Sequence, residues 1–121
     1  MMEKVKHKSG RYSREKGKRF EREIANRLRK CGINASRSAQ HCGKIGQAPD
    51  IIGVPNIHIE CKAQERMHLY DWMAQAQRDS AGTSNTPVVI HKANNKPILV
   101  SMGFDDFMAL YTRAYPTSDN A

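Results

Sequence analysis

The sequence predicts a small α/β domain: a mixed β-sheet flanked by helices, in the order helix, three strands, helix, two strands, helix. Three observations carry this. Phe20, Ile24 and Leu28 recur at i, i+4 and i+8, an apolar stripe of helical period. DIIGV (50–54) and IHIECKA (57–63) are two strand-forming runs separated by Pro55-Asn56, a hairpin pattern. TPVVIHKA (86–93) and PILVSM (97–102) repeat that pattern around the turn Asn94-Asn95-Lys96. The 121 residues amount to one domain, and no apolar run nears the roughly 18 residues of a membrane helix.

The elements follow in order. Residues 1–12, Lys-rich and without apolar period, are expected to be a flexible basic arm, with one domain at 13–115. The first helix is expected from about Ser13 to Cys31. Ser13 suits its cap, Glu15 suits its positive end, and Gly32 suits the left-handed position beyond it. Residues 33–39 suggest a short strand, and 40–49, with two Gly and a Pro, a loop. A second helix is expected at about 68–81. Its Leu69, Trp72, Met73 and Ala76 share one face and suit a core better than a base-stacking platform. A last helix, about 104–114, is expected to turn Phe107, Leu110 and Tyr111 inward. Residues 116–121 are expected to be a disordered tail.

Charge is unevenly placed. The net charge is +8, and residues 1–30 hold 12 Lys/Arg against four Glu, so all the excess lies there. A basic segment ahead of a balanced body suggests a polyanion, and nucleic acid is the natural candidate because each neutralised phosphate releases counterions. A membrane surface fits poorly, since the segment lacks an apolar face of Trp, Phe and Leu. It also lacks the apolar stretch of a secretory signal, so cytoplasmic residence is expected. Cys31, Cys42 and Cys61 show no CxxC spacing, which favours reduced thiols over structural zinc. The five histidines are scattered, which argues against a His-metal nuclease, and the absence of a Gly-rich phosphate loop argues against ATP use.

The chemistry concentrates in PDIIGVPNIHIECK (49–62). Strand alternation puts Ile57, Ile59 and Cys61 on one face, facing a core, and His58, Glu60 and Lys62 on the other. Asp50 opens the partner strand, so a hairpin brings it toward Glu60 and Lys62. Two converging carboxylates make an oxygen site for a hard divalent cation such as Mg²⁺. Such an ion activates water and clamps a phosphate oxygen, and a lysine beside it offsets phosphate charge. His58 shares that face with Glu60 and could border the site, although a role apart from it is the favoured reading. The plain alternative is a Glu60–Lys62 surface salt bridge, contributing at most about 1 kcal/mol.

Pro49-Asp50 followed by Glu60-x-Lys62 resembles the hallmark of the PD-(D/E)XK nuclease superfamily. Within it, the chain is similar to the archaeal-type Holliday-junction resolvases and related phage nucleases. Those open with a basic segment and a Gly-x-x-x-Glu-Arg-Glu helix, matched by Gly17 to Glu23, and continue with an Arg-Ser strand, matched by Arg37-Ser38. The similarity spans about residues 11–102. It implies a restriction-endonuclease-like fold in αβββαββα order. It implies Asp50, Glu60 and the Cys61 backbone carbonyl as metal ligands, Lys62 as the catalytic lysine, and Glu21 as the first-helix acid completing the site. Gln75 matches a glutamine placed near the site, although Gln77 is as close in sequence. Arg11, Arg14, Lys16, Lys18, Arg19, Arg37 and Ser38 are the implied DNA contacts, with Ser38 near the scissile phosphate. The implied activity is Mg²⁺-dependent cleavage (Mn²⁺ substituting) of branched DNA by a homodimer. Nicks, flaps or duplex DNA are alternative substrates, and a non-enzymatic basic binding module is an alternative function.

On the helical wheel Glu21 lies beside the apolar stripe, at a boundary between core and cleft. Glu23 lies about 200° from it and is expected to face solvent, paired with Arg19 or Arg27.

Overall fold

Helix α1 runs Gly10–Lys30 in the computed structural model, which describes residues 10–38 and 48–117. The expected basic arm before residue 10, most of the 40–49 loop and the tail from 118 lie outside the described residues. The helix starts three residues earlier than expected. Ser13 is therefore interior rather than a cap, and Glu15 lies beyond a first turn that holds no acid. Arg11, Tyr12 and Arg14 offer nothing that would halt a helix there. At the other end Gly32 takes φ 90°, its N–H donating 2.9 Å to Arg29 O, while the Ile33 N–H donates 3.0 Å to Leu28 O. These two bonds form a Schellman cap, and its apolar pair, Leu28 and Ile33, packs on the core.

Seven elements follow: β1 (Ser36–Arg37), β2 (Ile51–Ile52), β3 (Ile57–Ala63), α2 (Leu69–Ser80), β4 (Thr86–Lys92), β5 (Leu99–Met102) and α3 (Phe104–Ala114). The strands form one mixed sheet in the order β1-β2-β3-β4-β5. β3 and β4 are parallel, joined across α2, and the other neighbours are antiparallel. The β2–β3 hairpin pairs Ile51 with Ile59. Its turn is closed by Ile57 N–H donating 3.3 Å to Val54 O, with Pro55 second and Asn56 third at φ 71°. Proline there and a positive φ after it are what a type II turn requires.

The strand expected over 33–39 narrows to two residues, and β2 is equally short. Gly53, at φ 88°, ends β2, and a side chain there would collide with the Asn34 backbone. The two short strands are thus pressed together by a backbone contact only glycine allows.

The sheet is covered on both faces. Against one, Phe20, Ile24 and Ala25 of α1 pack on Ile51, Ile59, Cys61, Val88 and Ile90. Against the other, Trp72 and Ala76 of α2 pack on Val89. Each large apolar side chain fully buried here contributes about 1.5–3 kcal/mol. Ile59 and Cys61 face the core as expected. The polar face of β3 is buried too: His58 and Glu60 are each 3% exposed, beneath α2.

The last helix departs from expectation. No residue of α3 is buried, and Phe107, Leu110 and Tyr111 are exposed rather than inward. Phe107 and Tyr111 rest on each other, ring centres 6.1 Å apart, and Tyr111 rests on Tyr115 at 5.1 Å. The apolar period was right but presupposed a layer beneath the helix. β5 is the sheet edge, its Leu99 and Val100 are themselves exposed, and α3 runs on beyond it. No described helix is long and apolar enough to cross a membrane.

Candidate active site

Asp50 is fixed by backbone bonds on both sides. Its N–H donates 2.8 Å to Ile59 O, and its carbonyl accepts 3.0 Å from Ser38 N–H. Its side chain then turns along β3, where Oδ2 accepts 2.8 Å from the Cys61 N–H. That orientation sets its carboxyl close enough to Glu60 to act on it electrostatically. Glu60 is pushed up to about 8, first by burial and then by the charges of Asp50 and Asp79, with Lys62 opposing.

Three further groups gather around this pair. Lys62 Nζ donates 3.3 Å to Gln75 Oε1 on α2, whereas Gln77 is exposed. Glu21 of α1 accepts 3.0 Å from Arg37 Nε on β1. Burial and then Asp50 raise the Glu21 pKa, with Arg37 and Lys18 opposing, so Glu21 senses the same carboxyl cluster. Glu23 pairs instead with Arg27 at 3.7 Å. His58 Nε2 lies 2.8 Å from Glu60 Oε2, a contact rather than a border. Burial lowers the His58 pKa, while Asp79 and Asp50 act the other way.

Asp79 completes this side and was missed in the sequence. Its only signal there is the i+4 spacing from Gln75, which puts both on the α2 face that meets β3. The Ser38 hydroxyl is buried without a hydrogen-bond partner among the described residues. The Cys61 thiol is buried on the core face and burial pushes its pKa up, so only its backbone is available for chemistry.

A cleft of about 520 Å³ opens beside Lys62, walled by Tyr12, Lys16 and Gly17 of α1 and by Gln64 and Glu65. Lys16 reaches Glu65 across it at 3.9 Å. Arg11, Arg14, Lys18 and Arg19 are exposed along the same helix.

The donor set suits a hard dication. Asp50, Glu60 and the Cys61 carbonyl are all oxygen donors, and the two carboxyls stand close enough to act on each other. When bound, such an ion supplies Lewis-acid activation of water and of a phosphate oxygen.

A carboxyl pair and a lysine on adjoining strands of a mixed sheet, behind a basic first helix, define the PD-(D/E)XK class of nuclease fold. The chain belongs to the phage putative PDDEXK endonuclease family, whose sequence model matches residues 12–120. Among solved structures it is similar to Archaeoglobus fulgidus Hjc, described as a Holliday junction resolvase from an archaeal hyperthermophile. The identity is 24% and the TM-score 0.56, over 71% of this chain and 76% of that one. No curated protein sequence matches it. The restriction-endonuclease-like sandwich expected from sequence is the fold observed.

Proposed function

We propose that this protein is a divalent-metal-dependent DNA endonuclease acting in the cytoplasm, selective for branched DNA and above all for four-way junctions, and that it works as a homodimer. The observation that carries this is the Asp50–Glu60 carboxyl pair with Lys62 acting on it, Lys62 also lining a cleft walled by the basic helix α1. In this proposal Asp50, Glu60 and the Cys61 carbonyl hold Mg²⁺, or Mn²⁺ in its place. Lys62 orients the attacking water and offsets phosphate charge, and Gln75 positions Lys62. Glu21 completes the acidic cluster, and the Ser38 hydroxyl faces the scissile phosphate. Arg11, Arg14, Lys16, Lys18, Arg19 and Arg37 contact the DNA backbone, which sets position rather than sequence.

The likeness to a fold that includes a junction resolvase supports the substrate. So does symmetry: a four-way junction offers two equivalent strands, and a two-fold dimer offers two equivalent sites. The exposed apolar surface of β5 and α3 supports the dimer.

The test is cleavage of end-labelled four-way junction, flap, nicked and linear duplex DNA, in Mg²⁺ and in EDTA. Junction cleavage in Mg²⁺ alone is expected. Equal rates on all four substrates would remove the junction preference. Metal-independent binding with no cleavage would leave only a nucleic-acid-binding module.

A further inference from the structure

We infer a second metal position on the far side of Glu60, built from His58, Glu60 and Asp79 and suited to a transition-metal dication such as Mn²⁺, Co²⁺ or Zn²⁺ rather than Mg²⁺. It deepens the proposed function and rests on it, because Glu60 would bridge this ion and the one held with Asp50.

Geometry comes first. One ligand atom from each of the three residues lies within 4.8 Å of the others. His58 Nε2 and Glu60 Oε2 are 2.8 Å apart. Donors bound at about 2.1 Å to a common ion stand roughly 3–4 Å from one another, so only small side-chain movements separate this cluster from a coordination shell.

The fold explains the convergence. Alternation along β3 puts His58 and Glu60 on the face that α2 covers, and Asp79 comes from the helix covering it. His58 and Glu60 are 3% exposed, so two of the three donors are held in place and shielded from water.

Charge points the same way. Three carboxyl side chains, Asp50, Glu60 and Asp79, gather here with one lysine, Lys62. A single dication at Asp50 leaves the Asp79 side with a carboxylate, a shared carboxylate oxygen and an imidazole nitrogen. An imidazole nitrogen is accepted by first-row transition-metal dications, Mn²⁺ among them, whereas Mg²⁺ prefers oxygen ligands and retains its waters. The rival account is that His58 only orients Glu60 through their hydrogen bond, with no ion between them.

Titration of the full-length, metal-free protein with Mn²⁺ alone, following free Mn²⁺ by electron paramagnetic resonance, separates the two. Wild type should take up two Mn²⁺ per chain. Asp79→Asn and His58→Asn should each take up one, with circular dichroism unchanged. Asp79 is only partly buried, so its variant remains informative if His58→Asn misfolds. Equal uptake by wild type and Asp79→Asn overturns the second position, even if cleavage falls, since that is what pure orientation of Glu60 predicts. Asp50→Asn distinguishes this inference from the one beneath it. If Asp79→Asn lowers uptake and Asp50→Asn does not, the second position stands and the ion assigned to Asp50 is lost. If only Asp50→Asn lowers uptake, the second position fails and the proposed function is untouched.

Discussion

Lys62 Nζ donates a hydrogen bond to Gln75 Oε1 across 3.3 Å, tying the end of β3 to α2. Lysine ends in a point charge on a flexible four-carbon stem, so its position depends on such an anchor. Gln75→Ala should slow cleavage about tenfold with little change in DNA affinity, the scale typical of removing a group that orients an active-site residue. Gln77→Ala should be silent, because Gln77 is exposed. Single-turnover rates for the two variants check this, and equal rates would remove Gln75 from the site.

Asp50→Asn, Glu60→Gln and Lys62→Ala bear on the site itself. Each should lower cleavage on the order of 100-fold or more while gel-shift affinity for the junction persists. Affinity should persist because the exposed basic residues of α1 are unchanged. Cleavage surviving all three would show the chemistry to lie elsewhere.

The Glu60 carboxyl sets a pH dependence. Unfolded, it titrates near 4.5; folded and metal-free, it is pushed up to about 8 by burial and then by Asp50 and Asp79. Between those values the folded state holds a proton that the unfolded state has released. Stability therefore falls as pH rises through that window. Glu60→Gln removes this term. In EDTA the variant should gain on wild type between pH 5 and 8.5, by on the order of a few kcal/mol. His58, pushed down by burial, gives a slope of opposite sign below its usual 6.5, and that slope is largely common to both proteins. Thermal melts at several pH values read the difference. A constant gap between the two proteins would mean that Glu60 titrates normally. Mg²⁺ should narrow the gap at high pH, because it takes the place of the proton.

Much of this arrangement was legible in the sequence. The stripe Phe20, Ile24 and Leu28, the Pro55-Asn56 turn and the alternation of IHIECKA are local patterns. Local patterns fixed the element order and brought Asp50 toward Glu60. What was not legible depends on which layer covers which face. His58 and Glu60 could be assigned to one side of β3, but nothing local says that α2 closes over them or that Asp79 comes with it. The same gap explains α3, whose apolar face has the right period and no layer of this chain beneath it among the described residues. The shortness of β1 and β2 depends on the contact between Gly53 and Asn34, far apart in sequence.

That contact yields a stability prediction with an internal control. Gly53 and Gly32 both have positive φ, 88° and 90°. A side chain at 32 meets nothing within 4 Å, whereas one at 53 collides with the Asn34 backbone. Gly32→Ala should therefore cost only the left-handed conformation, about 1–2 kcal/mol. Gly53→Ala should cost clearly more, because backbone rather than a flexible side chain must move. Denaturant melts compare them. Equal losses would show that the β1–β2 approach is loose.

The exposed apolar surface makes the last prediction. Phe104 is 74% exposed, Val100 60% and Leu99 55%, on an edge strand and the helix after it. A groove of about 440 Å³ runs between this surface and α2, bordered by Tyr70, Met73, Val100, Phe104 and Phe107. In the proposed homodimer, contiguous apolar surface of this kind forms the interface. An unpaired edge strand adds backbone groups that a second copy can satisfy. Light scattering should give about twice the 13.7 kDa chain mass. Phe107→Glu sets a charge on that surface without touching the core, so it should give monomers with unchanged circular dichroism and thermal stability no higher than wild type. Junction cleavage by the monomer should lose the coupling between incisions in opposing strands, while Lys62 and the carboxyl pair stay intact. If wild type is already a monomer at micromolar concentration, the two-site model for a four-way junction fails, and flaps or nicks become the better substrates to pursue.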